Sequence, residues 1–259
     1  MKIGITERGD AALSINVWKS ALTKSRVDGA ILITKSLTPA FREAVLDCFF
    51  NPVGNSKNII VHCTCTGWGG TPLEPNVPDY KTQLEWLKEL IDAGFPHTHC
   101  VLRIDPIIPT KKGLDRACAV LDYAEELGIC CATRVSVYDE YKHVKERFAL
   151  HGLKPVYPNN NFQASDAQFK LVAETLKKYT GPFMTCAEPK LKTPDDHPCL
   201  FIQAGCISER DLNIMGLPVP KTIKNPQNRH GCLCLGCKTE LLENRHPCGH
   251  KCLYCYWRD

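Results

Sequence analysis

The sequence predicts an α/β protein in the form of a complete or partial TIM-type β/α barrel that carries a cysteine-rich iron-sulfur tail. Short β-type runs alternate with amphipathic helical patterns over residues 1–215, which is typical of a parallel sheet covered by helices. Polar residues follow nearly every predicted strand. From about residue 216 the alternation stops, and a proline-containing connector leads into the tail.

Six strands and a shorter seventh are predicted, near residues 2–6, 29–34, 58–65, 99–105, 129–137, 181–187 and 200–205. Helices are predicted between them, at 11–25, 39–50, 79–93, 112–127, 139–149, 165–178 and 208–215. Capping residues such as Asp79 and Ser165 open two of these helices. Six or seven βα units suit a barrel, and a doubly wound sheet is the second interpretation. The predicted domains are a barrel at 1–215 and a cluster-binding tail at 216–259.

Composition indicates a folded protein with a large core and no membrane span. The chain has 259 residues, 44% of them hydrophobic, which is ample for a large core. The net charge of +4 is compatible with an anionic substrate such as nucleic acid, but it is far from the charge of a dedicated nucleic-acid binder. No run approaches the ~20 apolar residues of a membrane span, and no signal-peptide core follows the first methionine. We therefore expect a cytoplasmic protein without a membrane partner.

Cysteine is the unusual component of the chain. There are sixteen cysteines, and six of them fall between positions 232 and 255. In a reducing compartment, clustered cysteines indicate metal ligands rather than disulfides. The scattered cysteines lie in apolar runs and are predicted to be small core residues. These are Cys48, Cys100, Cys118, Cys130 and Cys131.

Polar side chains at the carboxyl ends of the strands are the candidates for the lining of a site, because β/α barrels place their chemistry at that mouth. They are Glu7, Arg8 and Asp10 after the first strand, Thr34 and Lys35 after the second, His62 and Thr66 around the third, Arg103 and Asp105 on the fourth, Arg134, Ser136 and Asp139 on the fifth, and Glu188 after the sixth. Any single one of them could be a helix cap or an ion-pair partner. As a set they favour a functional lining.

The end of the chain carries the most specific pattern. Cys248, Cys252 and Cys255 have the spacing C-x3-C-x2-C, which can bring three thiolates to three corners of a four-iron cluster. Fully ligated clusters of this kind use four cysteines. The fourth iron is therefore expected to be open to a ligand that is not protein. Tyr254, just before the third cysteine, would pack against the cluster or its ligand, or act as filler.

A second triad precedes the first. Cys232, Cys234 and Cys237 are spaced C-x-C-x2-C and need a fourth thiolate. Cys206 is the preferred candidate, because it lies where the barrel passes into the tail. Cys186 and Cys199 are also candidates for this place. Four protein thiolates would complete an auxiliary four-iron cluster that relays electrons or braces the tail. If Cys206 is instead a core residue, the triad binds zinc or nothing.

Zinc is the competing interpretation of the whole tail. The cysteines, helped by His230, His246 or His250, could fill a four-ligand zinc shell and stabilise a nucleic-acid-binding module without redox chemistry. Structural zinc sites usually pair two C-x2-C knuckles. The spacing found here departs from that pattern, so the sequence favours iron-sulfur over zinc.

The terminal triad with its aromatic residue resembles the signature of radical S-adenosylmethionine (SAM) enzymes. The run Cys252-Leu-Tyr-Cys255-Tyr is most similar to the spore photoproduct lyase branch. In most of that superfamily the triad follows the first strand, whereas here it ends the chain. Over nearly its full length the chain also resembles an uncharacterised bacterial and phage family whose members end in such a cluster motif. The resemblance indicates a class of chemistry and leaves the substrate open.

The resemblance implies a catalytic four-iron cluster on Cys248, Cys252 and Cys255, whose open iron chelates SAM. Reductive cleavage of SAM would then give a 5′-deoxyadenosyl radical, with an electron donor such as a flavodoxin or ferredoxin. An isomerisation, rearrangement or lyase reaction would follow, and we expect a modified nucleobase, such as a thymine derivative in DNA, as the substrate.

The same resemblance suggests which residues receive SAM. Gly69 and Gly70, followed by Glu74, are similar to the glycine-rich stretch that receives the methionyl amine. Four strand-end residues are expected to reach the ribose, a carboxylate or another anionic group; they are Arg103, Arg134, Ser136 and Glu188. Tyr254 completes the predicted cofactor-binding set.

Overall fold

A computed structural model describes residues 1–158, 161–220, 231–242 and 248–257. Within these residues the strands are β1 (Ile3–Ile5), β2 (Gly29–Thr34), β3 (Ile59–Thr64), β4 (Cys100–Ile107), β5 (Ala132–Val137), β6 (Phe183–Thr185), β7 (Phe201–Gln203) and β8 (Lys238–Glu240). The helices are α1 (Ile15–Thr23), α2 (Pro39–Phe50), α3 (Tyr80–Asp92), α4 (Lys111–Glu126), α5 (Lys142–Leu150), α6 (Asp166–Leu176) and α7 (Glu209–Ile214), with a 3-10 turn at His97–His99. Each predicted strand and helix is present, with ends that shift by a few residues.

All the strands form one parallel sheet in the order β7-β6-β5-β4-β3-β2-β1-β8. From β1 to β7, strands that follow each other in the chain are neighbours in the sheet, so the order does not reverse as it does in a doubly wound fold. Right-handed crossovers then place the connecting helices on the same face of the sheet. In the described part of the chain no ladder joins β7 to β8, so strand pairing alone does not close the sheet into a barrel.

The eighth strand was not predicted. It lies in the tail and pairs in parallel with β1, and the Ile3 amide donates to the Cys237 carbonyl at 2.8 Å. Its residues Lys-Thr-Glu are all half-buried and have no apolar alternation that could reveal a strand. The first part of the tail therefore belongs to the sheet.

The core has two parts, one on each face of the sheet. The larger part lies between the strands and helices α1 to α6. The smaller part is formed by strand residues that point the other way, such as Ile3, Ile5 and Ile60, and it is covered by Leu212 of α7 and by Leu235. Residues two apart on a strand share a face, which accounts for this division. We call the smaller part the inner core.

Both predicted caps are present, since the side chain of Asp79 accepts hydrogen bonds at the start of α3 and Ser165 forms a capping box on α6. Cys48 and Cys100 are buried as predicted, but the prediction for Cys130 is wrong. Cys130 is exposed because it lies in the turn between α4 and β5. None of the helices in the described residues has the length and apolar character needed to cross a bilayer.

Candidate functional site

A cavity of about 840 Å³ lies at the carboxyl end of the sheet. Parallel strands bring their carboxyl ends to one edge, so residues far apart in sequence meet there. Residues that follow β1, β2 and β6, residues within β4 and β5, and the tail at 248–257 line the cavity. Most of the predicted strand-end set is therefore gathered around one space, and the tail covers it.

All three cysteines of the terminal triad, Cys248, Cys252 and Cys255, line this cavity. Among the described residues, the terminal triad does not form a group whose Sγ atoms all lie within 4.8 Å of one another. The structure thus brings the three thiols to one cavity, and a cluster bound by them stays a prediction.

Burial controls the chemistry of these thiols. It raises the pKa of Cys252 to about 12, and the nearby Lys35 ammonium opposes that rise. Burial also raises the pKa of Cys248. The ammonium group of Lys35 is the cation that favours thiolate at this position.

Glu74 connects Lys35 to the tail. Its carboxylate is fully buried and accepts from Lys35 Nζ at 2.7 Å and from Thr66 Oγ1 at 2.9 Å. The hydroxyl of Tyr254 also donates to it. Burial lowers the pKa of Lys35, but Glu74 more than compensates, and the net pKa is raised. Glu74 thus binds the second strand, its own loop and the tail together.

His250 attaches the tail to the first strand. Its Nδ1 lies 3.1 Å from the Asn76 carbonyl oxygen and its Nε2 lies 2.9 Å from Asp10 Oδ2. Both oxygens can only accept, so this arrangement favours the imidazolium form, in which both ring nitrogens donate. Burial is the largest single influence and lowers the pKa of His250, but the hydrogen bond and charge of Asp10 together with the Asn76 carbonyl outweigh it, and the net pKa is raised. Asp10 also accepts from the Lys35 amide at 2.7 Å.

The backbone of the tail is held by groups from one loop and one helix. The Leu253 amide donates to the Leu73 carbonyl at 2.9 Å, and Asn76 Nδ2 donates to the Gly249 carbonyl at 2.7 Å. Arg147 Nη1 donates to the carbonyls of Leu253 and Cys255 at 2.7 and 3.0 Å. Leu253 is 3% exposed and packs in the larger part of the core, between the strands and helices α1 to α6. The tail is therefore an integral part of the fold.

Arg147 gives a test of this docking. We expect Arg147→Ala to lower the free energy of unfolding by about 2 kcal/mol, because hydrogen bonds from a charged group contribute roughly 1.5–3 kcal/mol. It should also make the tail more sensitive to trypsin after Lys251. Denaturant unfolding and timed proteolysis measure the two effects. Lys142→Ala is the control, since that residue is exposed on the same helix, and equal behaviour of the two variants would contradict the docking role.

Five of the predicted SAM-binding residues line the cavity: Arg103, Arg134, Ser136, Glu188 and Tyr254. Arg103 and Ser136 both donate to Asp105. Burial raises the pKa of Asp105, but the Arg103 guanidinium outweighs this, and the net pKa is lowered. Glu188 Oε1 accepts from the Val137 amide at 3.0 Å. This wall therefore presents fixed charges of both signs.

Gly69, Gly70 and Glu74 are not among the residues that line the cavity. A Cβ added to Gly69 would lie 1.8 Å from the Pro78 carbonyl oxygen, and Gly70 has a φ of +73°. Both glycines are therefore required by the backbone of their loop. Glu74 is buried outside the cavity lining, where it holds Lys35 and Tyr254 by hydrogen bonds. A direct contact of these three with SAM stays a prediction.

The second group of thiols differs from the predicted set. Cys186, Cys206 and Cys234 place their Sγ atoms within 4.8 Å of one another, and Cys232 belongs to the same buried cluster. Cys237 packs against the inner core instead. It follows Cys234 by three residues, at the point where the chain enters β8. Cys186 lies in the group because it directly follows β6.

The predicted auxiliary four-iron cluster stays a prediction, and the sulfur spacing of this second group is close to that expected around one shared ion. The Sγ atom of Cys186 lies 3.5 Å from that of Cys206 and 4.0 Å from that of Cys234. In a four-iron cluster each thiolate points outward from its own iron, so the sulfurs lie farther apart than on one shared ion. Cys199, which was also a candidate for the fourth thiolate, is exposed. The candidate zinc ligands His230 and His246 lie outside the described residues.

Some supporting residues were missed in the sequence. Arg147 follows Val144 by three residues and precedes Phe148, so it falls on the buried stripe of α5, which is a signal that was available. His250 was weighed only as a zinc ligand, whereas it pairs with Asp10. Nothing in the local sequence indicates that Asn76 holds the tail, because its partner lies 173 residues away.

A family model described as Domain of unknown function (DUF1848) matches residues 2–257 of the chain. No curated protein and no solved structure matches the chain. The match spans both the sheet and the tail, which agrees with the integral position of the tail.

Proposed function

The chain belongs to the family described as Domain of unknown function (DUF1848), and from the geometry of the site we propose that it is a radical SAM enzyme. One observation carries the proposal. The three cysteines of the C-x3-C-x2-C motif line the same cavity as the charged strand-end residues. A triad without a fourth protein thiolate leaves one iron for an exogenous ligand.

The size of the cavity supports a site for two molecules. Its volume of about 840 Å³ is near the top of the roughly 300–1,000 Å³ range of ligand pockets. SAM and a nucleoside-sized substrate together would need a space of this order. A base in DNA would have to leave the duplex to enter it.

We assign the cluster to Cys248, Cys252 and Cys255. When bound, it supplies the electron that cleaves SAM reductively and so provides a 5′-deoxyadenosyl radical for hydrogen abstraction. The chain's own residues bind and orient SAM and the substrate, and they exclude water. Lys35 places a cation beside the thiolates, and Tyr254 holds the tail over the cavity.

The part of the cavity lining that comes from β4, β5 and the loop after β6 is where we propose that SAM and the substrate are oriented. Arg103 and Arg134 offer guanidinium groups to a carboxylate or phosphate, Ser136 offers a hydroxyl, and Glu188 offers a carboxylate to ribose hydroxyls. We further propose an isomerase- or lyase-type reaction on a modified nucleobase. The physiological donor would be a flavodoxin or ferredoxin, and the reducing cytoplasm is the compartment that suits such a site.

The order of the strands also supports a barrel. The loop after β7 and the segment before β8 are joined by a hydrogen bond from the Leu235 amide to the Ile207 carbonyl, at 3.1 Å. We propose that the sheet curls into a β/α barrel whose last gap is bridged by loops rather than by a ladder. The inner core would then fill the barrel, and the cavity would be its mouth.

Cofactor cleavage tests the proposal. Protein reconstituted anaerobically with iron and sulfide, reduced and supplied with SAM, is expected to form 5′-deoxyadenosine, which chromatography quantifies. A protein that holds zinc without sulfide and cleaves no SAM would favour the competing function, a zinc-stabilised nucleic-acid-binding module. Adding nucleosides or oligonucleotides with thymine derivatives should increase the formation of 5′-deoxyadenosine if the substrate is a modified nucleobase.

A further inference from the structure

The two ends of the strand order approach each other at a group of cysteines. Cys186 follows β6 and Cys206 follows β7, while Cys232 and Cys234 precede β8. The Cys206 amide donates to Cys234 Sγ at 3.1 Å, so the two sides are already in contact. We call these four cysteines the seam site.

We propose that the seam site binds one tetrahedrally coordinated metal ion, zinc or iron, and that this ion joins the two ends of the sheet. The inference goes beyond the proposed function, because none of the four cysteines belongs to the terminal triad. It also replaces the auxiliary four-iron cluster that the sequence predicts.

Distances between the sulfurs support a single ion. Around one tetrahedral ion the sulfur–sulfur distance is about 3.8 Å. The distances from Cys186 Sγ to the Sγ atoms of Cys206 and Cys234, 3.5 and 4.0 Å, lie on either side of this value. Soft thiolate ligands in a tetrahedral arrangement select zinc or iron among the common metals.

Packing indicates the fourth ligand. Cys232 and Cys234 are buried together with Ala187, and Cys186 and Cys206 pack against them. Cys206 and Cys237 both contact the inner core, but Cys237 does not belong to this buried cluster. The terminal triad lies in another part of the tail. Among the described residues, Cys232 is thus the remaining thiol of this cluster, although its Sγ atom lies outside the group of three whose Sγ atoms are all within 4.8 Å of one another.

The backbone is shaped to bring the two sides together. A Cβ added to Gly205 would lie 2.5 Å from the Leu233 carbonyl oxygen and 2.6 Å from the Cys234 Cα. Contacts this short do not occur, so the loop after β7 can approach the loop before β8 only because residue 205 is glycine. This close approach is what places Cys206 beside Cys234.

The charge around the seam site also supports a bound metal ion. Four thiolates and one divalent ion carry a net charge of −2. Arg134 is 2% exposed and donates from Nη1 to the Gly205 carbonyl, next to Cys206, at 2.7 Å. Its Nε and Nη2 have no hydrogen-bond partner among the described residues. A buried cation with incomplete partners is stabilised by negative charge nearby, which the metal-bound thiolates would supply.

The role of the ion follows from its closed shell. Four protein ligands leave no open position, and closed sites of this type are structural. No ladder pairs β7 with β8 in the described residues, so an ion held by loops on both sides would substitute for the missing strand pairing. Loss of the ion should therefore lower the stability of the sheet without removing a group that touches SAM.

Metal analysis of the variant with Cys248, Cys252 and Cys255 all replaced by alanine tests this proposal without any activity measurement. Purified anaerobically, it is expected to retain about one zinc or iron ion per chain with no acid-labile sulfide. Adding Cys186→Ala or Cys206→Ala to it should remove the ion. Adding Cys237→Ala should leave the ion in place, and this is the matched control.

Three results would overturn the proposal: acid-labile sulfide in amounts matching iron in the triple variant, no metal in it, or loss of metal on Cys237→Ala but not on Cys186→Ala. If the added substitutions prevent folding, cobalt loading of the triple variant replaces them. Four thiolates around cobalt should give intense sulfur-to-cobalt charge-transfer bands and tetrahedral d–d bands, and octahedral bands would contradict the site. Failure of SAM cleavage in the native chain would leave these results unaffected.

Discussion

Replacing Cys248, Cys252 and Cys255 together with alanine is expected to abolish formation of 5′-deoxyadenosine from SAM. The three side chains line one cavity and are the ligands we assign to the SAM-binding cluster. Without them no iron is left to chelate SAM or to deliver an electron to it. The measurement is 5′-deoxyadenosine per chain under reducing, anaerobic conditions, compared with the native protein after identical reconstitution.

A second triple variant controls for the number of thiols removed. Cys118, Cys130 and Cys199 are half-buried or exposed and lie outside both cysteine sites. Their replacement by alanine should leave cleavage close to the native level. Cleavage that survives removal of the terminal triad would show that the assignment of the cluster is wrong.

Glu74→Gln is expected to lower the free energy of unfolding by about 3–5 kcal/mol, because removing one partner of a buried ion pair leaves an uncompensated charge. The Glu74 side chain is fully buried and that of Lys35 is 16% exposed, with 2.7 Å between the charged atoms. Glutamine keeps the size and can still accept a hydrogen bond from Thr66. The loss would therefore come mainly from the charge. Denaturant unfolding under anaerobic conditions measures it.

Asp115→Asn is the matched control, since it breaks an ion pair with Lys111 that has nearly the same 2.9 Å separation but is exposed. Exposed pairs contribute about 0–1 kcal/mol. Combining Glu74→Gln with Lys35→Met should recover part of the lost stability, because no buried charge is then left unpaired. A Glu74→Gln variant as stable as the Asp115→Asn variant would contradict the role we give to this pair.

Strong apolar periodicity explains why most of the fold could be predicted. Runs such as Gly29–Thr34 and Ile59–Thr64 are buried on both faces and contain few polar residues, so their strands are recognisable without a structure. The strand Lys238–Glu240 has no such signal, because it is held by the backbone of β1. Whether the sheet closes is decided by contacts between β7 and the tail, which are distant in sequence.

The candidate site was predictable to a similar degree. Spacing singled out the terminal triad, and all three of its cysteines line the cavity. Spacing also suggested Cys237 as a partner of Cys234, but β8 carries Cys237 away from that site. Cys186, which the sequence offered only as an alternative to Cys206, is brought beside Cys234 by the sheet, across 48 residues. Local patterns could not decide between these candidates, because strand order sets which of them meet.

The most direct test of the central claim is electron paramagnetic resonance of the reduced protein with and without SAM. A four-iron cluster that binds SAM through its open iron is expected to give a reduced-cluster signal whose g-values or line shape change when SAM is added. The signal should be absent from the variant that lacks Cys248, Cys252 and Cys255. A reduced signal that SAM does not alter, or one that persists in that variant, would contradict the account.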